Sequence, residues 1–142
     1  SPQPANMQDQ SSSGVKFREE FRPFTASVLS GDAGEFFAAP RPSPFMTQTF
    51  TATERLRRHA PATVHEDGTS RPQFVDSKTN ALFATLISLL GDATGHPVVL
   101  NTSLNAYNDP IAAEPFQALR TYFATGLDSL IIGDFILDKR AD

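Results

Sequence analysis

The sequence predicts an α/β fold, in the wide sense that includes α+β, with a mixed twisted sheet and helices packed on it. Apolar residues at helical spacing occur over Thr79–Leu90 and Pro115–Thr125. Short apolar runs typical of buried strands lie between and after them, at Pro97–Thr102 and Leu130–Ile132. Helices and strands that alternate along the second half of a chain are typical of this class.

Size and composition are those of one soluble domain. The chain has 142 residues, of which 39% are hydrophobic and 20% charged, so it can bury a core of its own. No apolar run approaches the roughly 20 residues of a membrane helix, and a net charge of -4 argues against broad nucleic-acid binding. The absence of cysteine excludes disulfides and thiolate metal sites. We expect a cytoplasmic protein with no metal site, no nucleic-acid partner and no membrane partner.

The first half of the chain contains weaker patterns. Residues 1–14, rich in Pro, Gln and Ser, are expected to be a flexible arm or linker, and the domain is expected over 15–142. Val15–Arg18 alternates as a short strand does, and Gly31–Phe37 suits one or two helical turns that Asp32 can cap. Further elements are predicted as an irregular stretch at Ala39–Pro44, strands at Phe45–Thr51, Thr63–His65 and Gln73–Val75, a turn at Asp67-Gly68, and a helix at Thr53–His59.

The second half contains the clearest elements. The Thr79–Leu90 helix is expected to end at Gly91 and the Pro115–Thr125 helix at Gly126. Phe135–Leu137 continues the last strand or pairs with it. The predicted inner faces of the two helices are Leu82, Phe83, Leu86, Ile87 and Leu90 in the first, and Phe116, Leu119, Tyr122 and Phe123 in the second.

The first candidate site is a cationic run. Lys16, Arg18 and Arg22 lie within seven residues, and on a strand Lys16 and Arg18 point to the same face. Such a pair can grip a phosphate, because Arg offers a fork and Lys a point charge. The residues alone favour the plainer interpretation of an exposed strand edge, balanced by Glu19 and Glu20.

The second candidate is the polar run His65–Gln73, which surrounds the predicted turn. It contains an imidazole, two carboxylates, two hydroxyls and the guanidinium of Arg71. Functional residues favour such loops, and His65 with Asp67 offers two metal ligands, which is weak support for a metal site. The alternative is a polar turn in which Asp67 and Thr69 bond their own backbone.

The third candidate is Asn101–Asn105, directly after the predicted buried strand. In open α/β sheets ligands bind beyond the carboxyl ends of strands. The side chains of Asn101, Ser103 and Asn105 offer neutral hydrogen-bond donors there. Ser103 as a nucleophile lacks the G-x-S-x-G context, so hydrogen bonding is the favoured role and a simple capping loop is the alternative.

These runs together resemble a known family. In the same order, they are similar to motifs of the C-terminal region of the nodulation and antibiotic-tailoring O-carbamoyltransferases, and the likeness covers Val15 to about Lys139. The motifs that carry it are Val15–Phe24, Ser43-Pro44-Phe45-Met46, His65–Gln73, Asn101-Thr102-Ser103-Leu104-Asn105 and Asp109-Pro110-Ile111.

The resemblance implies a YrdC-like mixed sheet that binds carbamoyl phosphate and ATP, with Mg²⁺ where ATP brings it, and that forms carbamoyl adenylate. A separate Kae1-like N-terminal domain, which carries the family's iron site, would transfer the carbamoyl group to an acceptor hydroxyl. Lys16 and Arg18 match the family's Lys-x-Arg pair, and Ser103 and Asn105 match its Ser-x-Asn pair. By the same resemblance, Arg22 and Arg71 would add phosphate contacts, and Asn101 would share in substrate binding.

Family members also place a Gly-Pro-Arg-Ala-Leu-Gly-Asn-Arg-Ser stretch before the Lys-x-Arg pair. The domain is therefore expected to be incomplete on its N-terminal side, with an open sheet edge through which it could self-associate. Two other functions stay open. One is a threonylcarbamoyl-adenylate synthase, which shares both residue pairs and would respond to threonine and bicarbonate with ATP. The other is a non-catalytic module that binds only a nucleotide or a partner.

Overall fold

A computed structural model describes residues 24–106 and 109–139. The described residues form two compact units, one over residues 24–102 and one from residue 103 to residue 139 with the same gap. The predicted arm over residues 1–14 and the predicted strand Val15–Arg18 lie outside the described residues.

The first unit is built on a three-stranded sheet. Its central strand is β1 (Thr25–Leu29), which pairs in parallel with β4 (Gln73–Val75) and antiparallel with β5 (Val99–Asn101). The sheet is therefore mixed, and helices pack on it, which confirms the predicted α/β class. The finer likeness to a YrdC-like sheet stays a prediction.

One face of this sheet covers the main core. Alternate strand residues point to opposite faces, so Ala26 and Val28 of β1 and Phe74 of β4 share a face. They pack with buried side chains of the helices α1 (Ala33–Phe36) and α2 (Glu54–His59). The rings of Phe37, Phe50 and Phe74 meet in this core with centroids 5.3 to 6.3 Å apart. Aromatic contacts of this kind add to the stabilisation that comes from area burial alone.

The opposite face is divided into two halves. At one end Leu29, Val75 and Val99 pack under the helix α3 (Ala81–Thr94). At the other end, the side chains on the same face are polar, and they come from Ser27, Gln73 and Asn101. The sheet thus presents a polar group on all three strands beside an apolar contact.

The predicted end of the α3 helix is wrong, and its predicted inner face is partly wrong. It continues through Gly91 to Thr94 and ends at Gly95, which has a φ of 77°, as the left-handed residue at a helix end requires. A Cβ on Gly91 would lie 2.8 Å from the Cβ of Pro97, so the glycine serves a close approach inside the helix. Ala84 and Ile87 face the sheet, whereas Leu82 is 85% exposed.

The loops between β1 and β4 also differ from prediction. The strand expected at Phe45–Thr51 is reduced to β2 (Phe50–Thr51), because Met46 has a φ of 58° and interrupts the extended backbone. Its partner is β3 (Thr69–Ser70). No strand forms at Thr63–His65, because Thr63 ends a 3-10 turn over Pro61–Thr63 and the next two residues are in neither a helix nor a strand.

Several short elements were predicted correctly. The helical turns within Gly31–Phe37 are present and bury Phe36 and Phe37, although Asp32 makes no side-chain cap bond. The irregular Ala39–Pro44 stretch has no helix or strand. The α2 helix begins after Thr53, whose hydroxyl caps it by accepting a bond from the N–H of Leu56.

The second unit is a helix on a hairpin. The helix α4 (Pro115–Ala124) precedes β6 (Ser129–Ile132) and β7 (Phe135–Asp138), which pair antiparallel. Ala118, Tyr122 and Leu130 form its small core. The helix and the paired strands confirm the prediction, but its inner face was partly wrong, because Phe116 and Phe123 are exposed. Among the described residues, the helices are all too short or too polar to cross a membrane.

The corrected inner face of α3 can be tested with two adjacent truncations. Ile87 is fully buried and Leu86 is 51% exposed. We expect Ile87→Ala to lower the free energy of unfolding by about 2–5 kcal/mol and Leu86→Ala to lower it by less than about 1 kcal/mol. Urea unfolding followed by circular dichroism measures both. Equal losses for the two variants would contradict the assigned face.

Candidate functional site

A hydrogen-bonded polar cluster occupies the uncovered end of the sheet. The Oε1 atom of Gln73 accepts from the Ser27 hydroxyl at 3.1 Å and from Nδ2 of Asn101 at 2.9 Å. Nδ2 of Asn101 also lies 3.4 Å from the Ser27 hydroxyl oxygen. Each residue comes from a different strand, so strand pairing sets the positions of all three.

The loop that contains Ser43, Pro44 and Met46 closes over this cluster. Nε2 of Gln73 donates to the carbonyl of Pro44 at 3.3 Å, and Nδ2 of Asn101 approaches the sulfur of Met46 at 3.6 Å. The hydroxyl of Ser43, itself fully buried, donates to the Pro72 carbonyl at 3.2 Å. The structure therefore brings together residues from three of the motifs that are separate in the sequence.

The cluster leaves one acceptor available. Gln73 and Asn101 are half-buried, and Ser27 is fully buried. Nδ2 of Asn101 is directed at Gln73, Ser27 and the Met46 sulfur, whereas its Oδ1 accepts no hydrogen bond from any residue that the structure describes. A neutral cluster with a fixed, unbonded carbonyl oxygen suits recognition by hydrogen bonding.

Ser27 and Gln73 are the functional candidates that sequence reasoning missed. Gln73 is the last residue of the polar run that begins at His65 and the first residue of β4. Strand pairing therefore holds it in place. Ser27 lies in a buried strand that also contains Thr25, and a polar residue within such a strand was the signal for it.

The His65–Thr69 loop forms the polar turn that was the plainer interpretation. Oδ1 of Asp67 accepts from the Thr69 hydroxyl at 2.7 Å and from the Thr69 N–H at 2.9 Å. These bonds, the hydroxyl first, hold the pKa of the Asp67 carboxyl below its ordinary value. Nδ1 of His65 lies 3.5 Å from the same hydroxyl. Within residues 24–106 and 109–139, no group of three or more His, Cys, Asp or Glu residues could hold a metal ion.

Arg57 supports this turn from the α2 helix. Its guanidinium donates to the carbonyl of Gly68 at 3.0 Å and to that of Ala52 at 3.3 Å. Gly68 has a φ of 80°, and a Cβ there would lie 2.4 Å from the guanidinium. The turn thus depends on a glycine for both its backbone conformation and the approach of Arg57.

Arg71 follows the turn directly and is exposed. Its guanidinium makes no ion pair or hydrogen bond with the residues that the structure describes. The preceding Ser70 has a buried hydroxyl without a hydrogen-bond partner in the same described part of the chain. A cation without a carboxylate partner remains available to an anionic ligand.

Two cavities in the first unit differ in charge. One, of about 360 Å³, is lined by Arg41, Ser43, Pro44 and Phe74 among others, and so adjoins the loop that closes the polar cluster. The other, of about 500 Å³, includes the carboxylates of Asp32 and Asp76. The acidic lining disfavours phosphate in the larger cavity, so the smaller one is the better match for an anion, although it also includes Asp76.

In the second unit, the predicted Ser103 and Asn105 pair does come together. The Ser103 hydroxyl donates to Oδ1 of Asn105 at 2.8 Å, and Nδ2 of Asn105 donates to the carbonyl of Asp109 at 2.8 Å. An amide oxygen is a poor general base, so this contact favours hydrogen bonding over nucleophilic attack as the role of Ser103. Arg120 of α4 donates to the Asp109 carboxylate at 2.7 Å. Arg120 was not predicted.

Three of the predicted site residues, Lys16, Arg18 and Arg22, lie outside the described residues. Their roles as phosphate-binding groups stay predictions. Among the others, the structure joins Asn101 to Gln73 and joins Ser103 to Asn105, and it uses His65 and Asp67 in a turn.

Comparison with known proteins places this chain in a family. The model of the family described as "Carbamoyltransferase C-terminus" matches residues 1–139. The chain therefore belongs to the carbamoyltransferase C-terminal family, which confirms the resemblance seen in its motifs.

The relatives include three nodulation proteins. Nodulation protein NolO of Bradyrhizobium diazoefficiens is 39% identical over 142 residues, a match that covers 98% of this chain and 26% of that protein. Nodulation protein NolNO of Sinorhizobium fredii is 38% identical over 98% of this chain and 21% of its own length. Nodulation protein U of Rhizobium tropici is 32% identical over 66% of this chain and 16% of its own. The chain spans about a quarter or less of these relatives.

The turn geometry predicts the effect of removing one hydroxyl. Thr69→Val keeps the β-branched shape but loses the donor to Asp67, so the pKa of Asp67 should rise toward its ordinary value. Stability from the native carboxylate is present at neutral pH and is lost as the pH falls through the lowered pKa. That acid-side loss should therefore be smaller in the variant. Carbon-13 NMR titration of the carboxyl measures the pKa directly.

Thr51→Val is the matched control, because Thr51 pairs with Thr69 across the strands and is exposed. It should leave the pKa of Asp67 unchanged. An unchanged pKa in Thr69→Val would show that the hydroxyl does not lower it.

Proposed function

We propose that this chain supplies the carbamoyl phosphate- and ATP-binding part of an O-carbamoyltransferase and takes part in forming carbamoyl adenylate. Transfer to an acceptor hydroxyl would be the task of a separate Kae1-like domain, which would also carry the iron. Family membership supports the carbamoyltransferase role. The finer proposal is supported by the chemistry of the polar cluster.

The observation that carries the proposal is the fixed carboxamide of Asn101. A carbamoyl group is itself amide-like, with one carbonyl oxygen that accepts and one NH₂ group that donates. The unbonded Oδ1 of Asn101 can accept one of these carbamoyl N–H bonds. A carboxylate could do so too, but its charge would repel the phosphate on the same ligand.

Gln73 sets which end of Asn101 is presented. A carboxamide has nearly the same shape after a 180° flip, and only its hydrogen bonds decide the orientation. Because Nε2 of Gln73 donates to the Pro44 carbonyl, Gln73 turns its acceptor Oε1 toward Asn101, and this oxygen selects the NH₂ end of Asn101. The oxygen is thereby presented without reorganisation when a ligand binds, which lowers the cost of binding.

Cations are proposed to bind the phosphates. Arg71 is exposed and has no carboxylate partner among the described residues, and the resemblance adds Lys16, Arg18 and Arg22. By the resemblance, Ser103 and Asn105 would contact ligand oxygens, and each would exchange a present hydrogen bond for one to the ligand: Ser103 its bond to Asn105, and Asn105 its bond to the Asp109 or Ala106 carbonyl. Mg²⁺ would accompany ATP. Adenylation moves phosphate charge, and catalysis of such steps rests mainly on positioning and electrostatic stabilisation.

The cluster predicts the binding of variants. Asn101→Ala should weaken carbamoyl phosphate binding about tenfold, because one hydrogen bond in a partly buried site contributes about 1 kcal/mol or slightly more. Gln73→Met should weaken it as well, since Asn101 then loses its orienting partner. Isothermal titration of the chain with carbamoyl phosphate measures both, and circular dichroism checks the fold.

Gln48→Met serves as the control for Gln73→Met. Gln48 is exposed, and its side chain hydrogen-bonds, among the described residues, to the carbonyl of Pro42 at 3.5 Å and to no member of the polar cluster. This variant should bind as the unaltered chain does. The proposed role of the cluster is wrong if folded Asn101→Ala binds carbamoyl phosphate with unchanged affinity.

A further inference from the structure

We infer that Arg120 is a positioning residue, which orients Asn105 and through it Ser103 for ligand binding. The inference rests on the proposed function, because it takes the Ser103–Asn105 pair as ligand-binding groups. No motif of the sequence pointed to Arg120, and its role follows from three consecutive contacts within the second unit.

The first contact fixes Asp109 to a helix. Nη2 of Arg120 lies 2.7 Å from Oδ2 of Asp109. Arg120 is in the middle of α4, whose N-terminus is held by Oε1 of Gln117, which accepts from the N–H groups of Ala113 and Glu114. The guanidinium therefore extends from a helix backbone that is held in place. The pair is partly exposed, at 52% for the Arg120 side chain and 37% for that of Asp109. It therefore contributes little to stability and acts mainly by fixing the position of Asp109.

The second and third contacts link Asp109 to Asn105 and Asn105 to Ser103. The carbonyl oxygen of Asp109 accepts from Nδ2 of Asn105 at 2.8 Å. Since Nδ2 is thereby assigned, Oδ1 of Asn105 faces the Ser103 hydroxyl and accepts from it at 2.8 Å. Nδ2 also donates to the carbonyl of Ala106 at 3.3 Å. Asp109 is thus tied to α4 by its side chain and to Asn105 by its backbone.

The backbone and the side chain of Asp109 therefore have different roles. The Asp109 carbonyl accepts from Asn105, the Asp109 N–H donates to the Ala106 carbonyl at 3.2 Å, and the Asp109 carboxylate meets Arg120. Removing either charge should loosen the Asp109 backbone and let the Asn105 carboxamide rotate more freely. The two substitutions should then act through one link, and their effects should not add.

The test joins an NMR readout to a binding readout. In the unaltered chain, the side-chain NH₂ of Asn105 should exchange slowly with solvent, because it donates to two carbonyls. Arg120→Met and Asp109→Ala should each speed this exchange and weaken carbamoyl phosphate or ATP binding about two- to tenfold. The double variant should be no worse than either single variant, and Arg120→Lys should recover part of the loss.

Arg58→Met is the matched control. Arg58 is an exposed arginine with an ion pair to Glu54 at 3.6 Å on another helix, so the variant removes the same charge without touching the loop. It should leave both the exchange of Asn105 and ligand affinity unchanged.

The outcomes separate the inference from the proposed function. Unchanged exchange at Asn105 in Arg120→Met overturns the inference, whatever the ligands do. Faster exchange with unaltered affinity, in a chain where Asn105→Ala abolishes binding, also overturns it. An unaltered chain that binds neither ligand contradicts the proposed function, and the ligand-binding half of the inference is overturned with it.

Discussion

The first unit depends on one partly buried carboxamide. Gln73 accepts bonds from Ser27 on the central strand and Asn101 on the far strand, and it donates to Pro44 in the closing loop. Ser27 is fully buried, and a buried hydroxyl without a partner destabilises a fold. The same side chain thus satisfies a buried donor, ties three strands to a loop and orients the group that we propose to meet the ligand.

This constraint explains why the sheet face is divided. Apolar residues under α3 bury area at one end, and the polar residues next to them satisfy one another at the other end. A ligand that meets Asn101 therefore meets a group held by packing on one side and by hydrogen bonds on the other. Groups held in this way lose little freedom on binding. In the second unit, Asn105 is held in a similar way through Asp109, which forms an ion pair with Arg120.

The sequence predicted what periodicity and motif order can reveal. The mixed α/β class and the α4 helix followed from apolar spacing, and the family followed from motifs in order. The terminal hairpin is one of the two arrangements that the sequence left open for Phe135–Leu137. Contacts between residues far apart in the sequence had no such signal. Examples are the Gln73–Asn101 bond and the contact between the tilted rings of His59 and His96, whose centroids are 4.1 Å apart. The inner face of α3 failed because five apolar residues fit one stripe, whereas the small sheet has room for few of them.

The central claim is that a fixed carboxamide oxygen recognises the carbamoyl NH₂ group. Acetyl phosphate carries a methyl group in place of that NH₂ and is otherwise nearly the same size. Competition titration of the two phosphates with the chain, at matched ionic strength, therefore measures this recognition alone. We predict that carbamoyl phosphate binds about tenfold more tightly and that Asn101→Ala abolishes the preference. Equal affinities in the unaltered chain would contradict the claim.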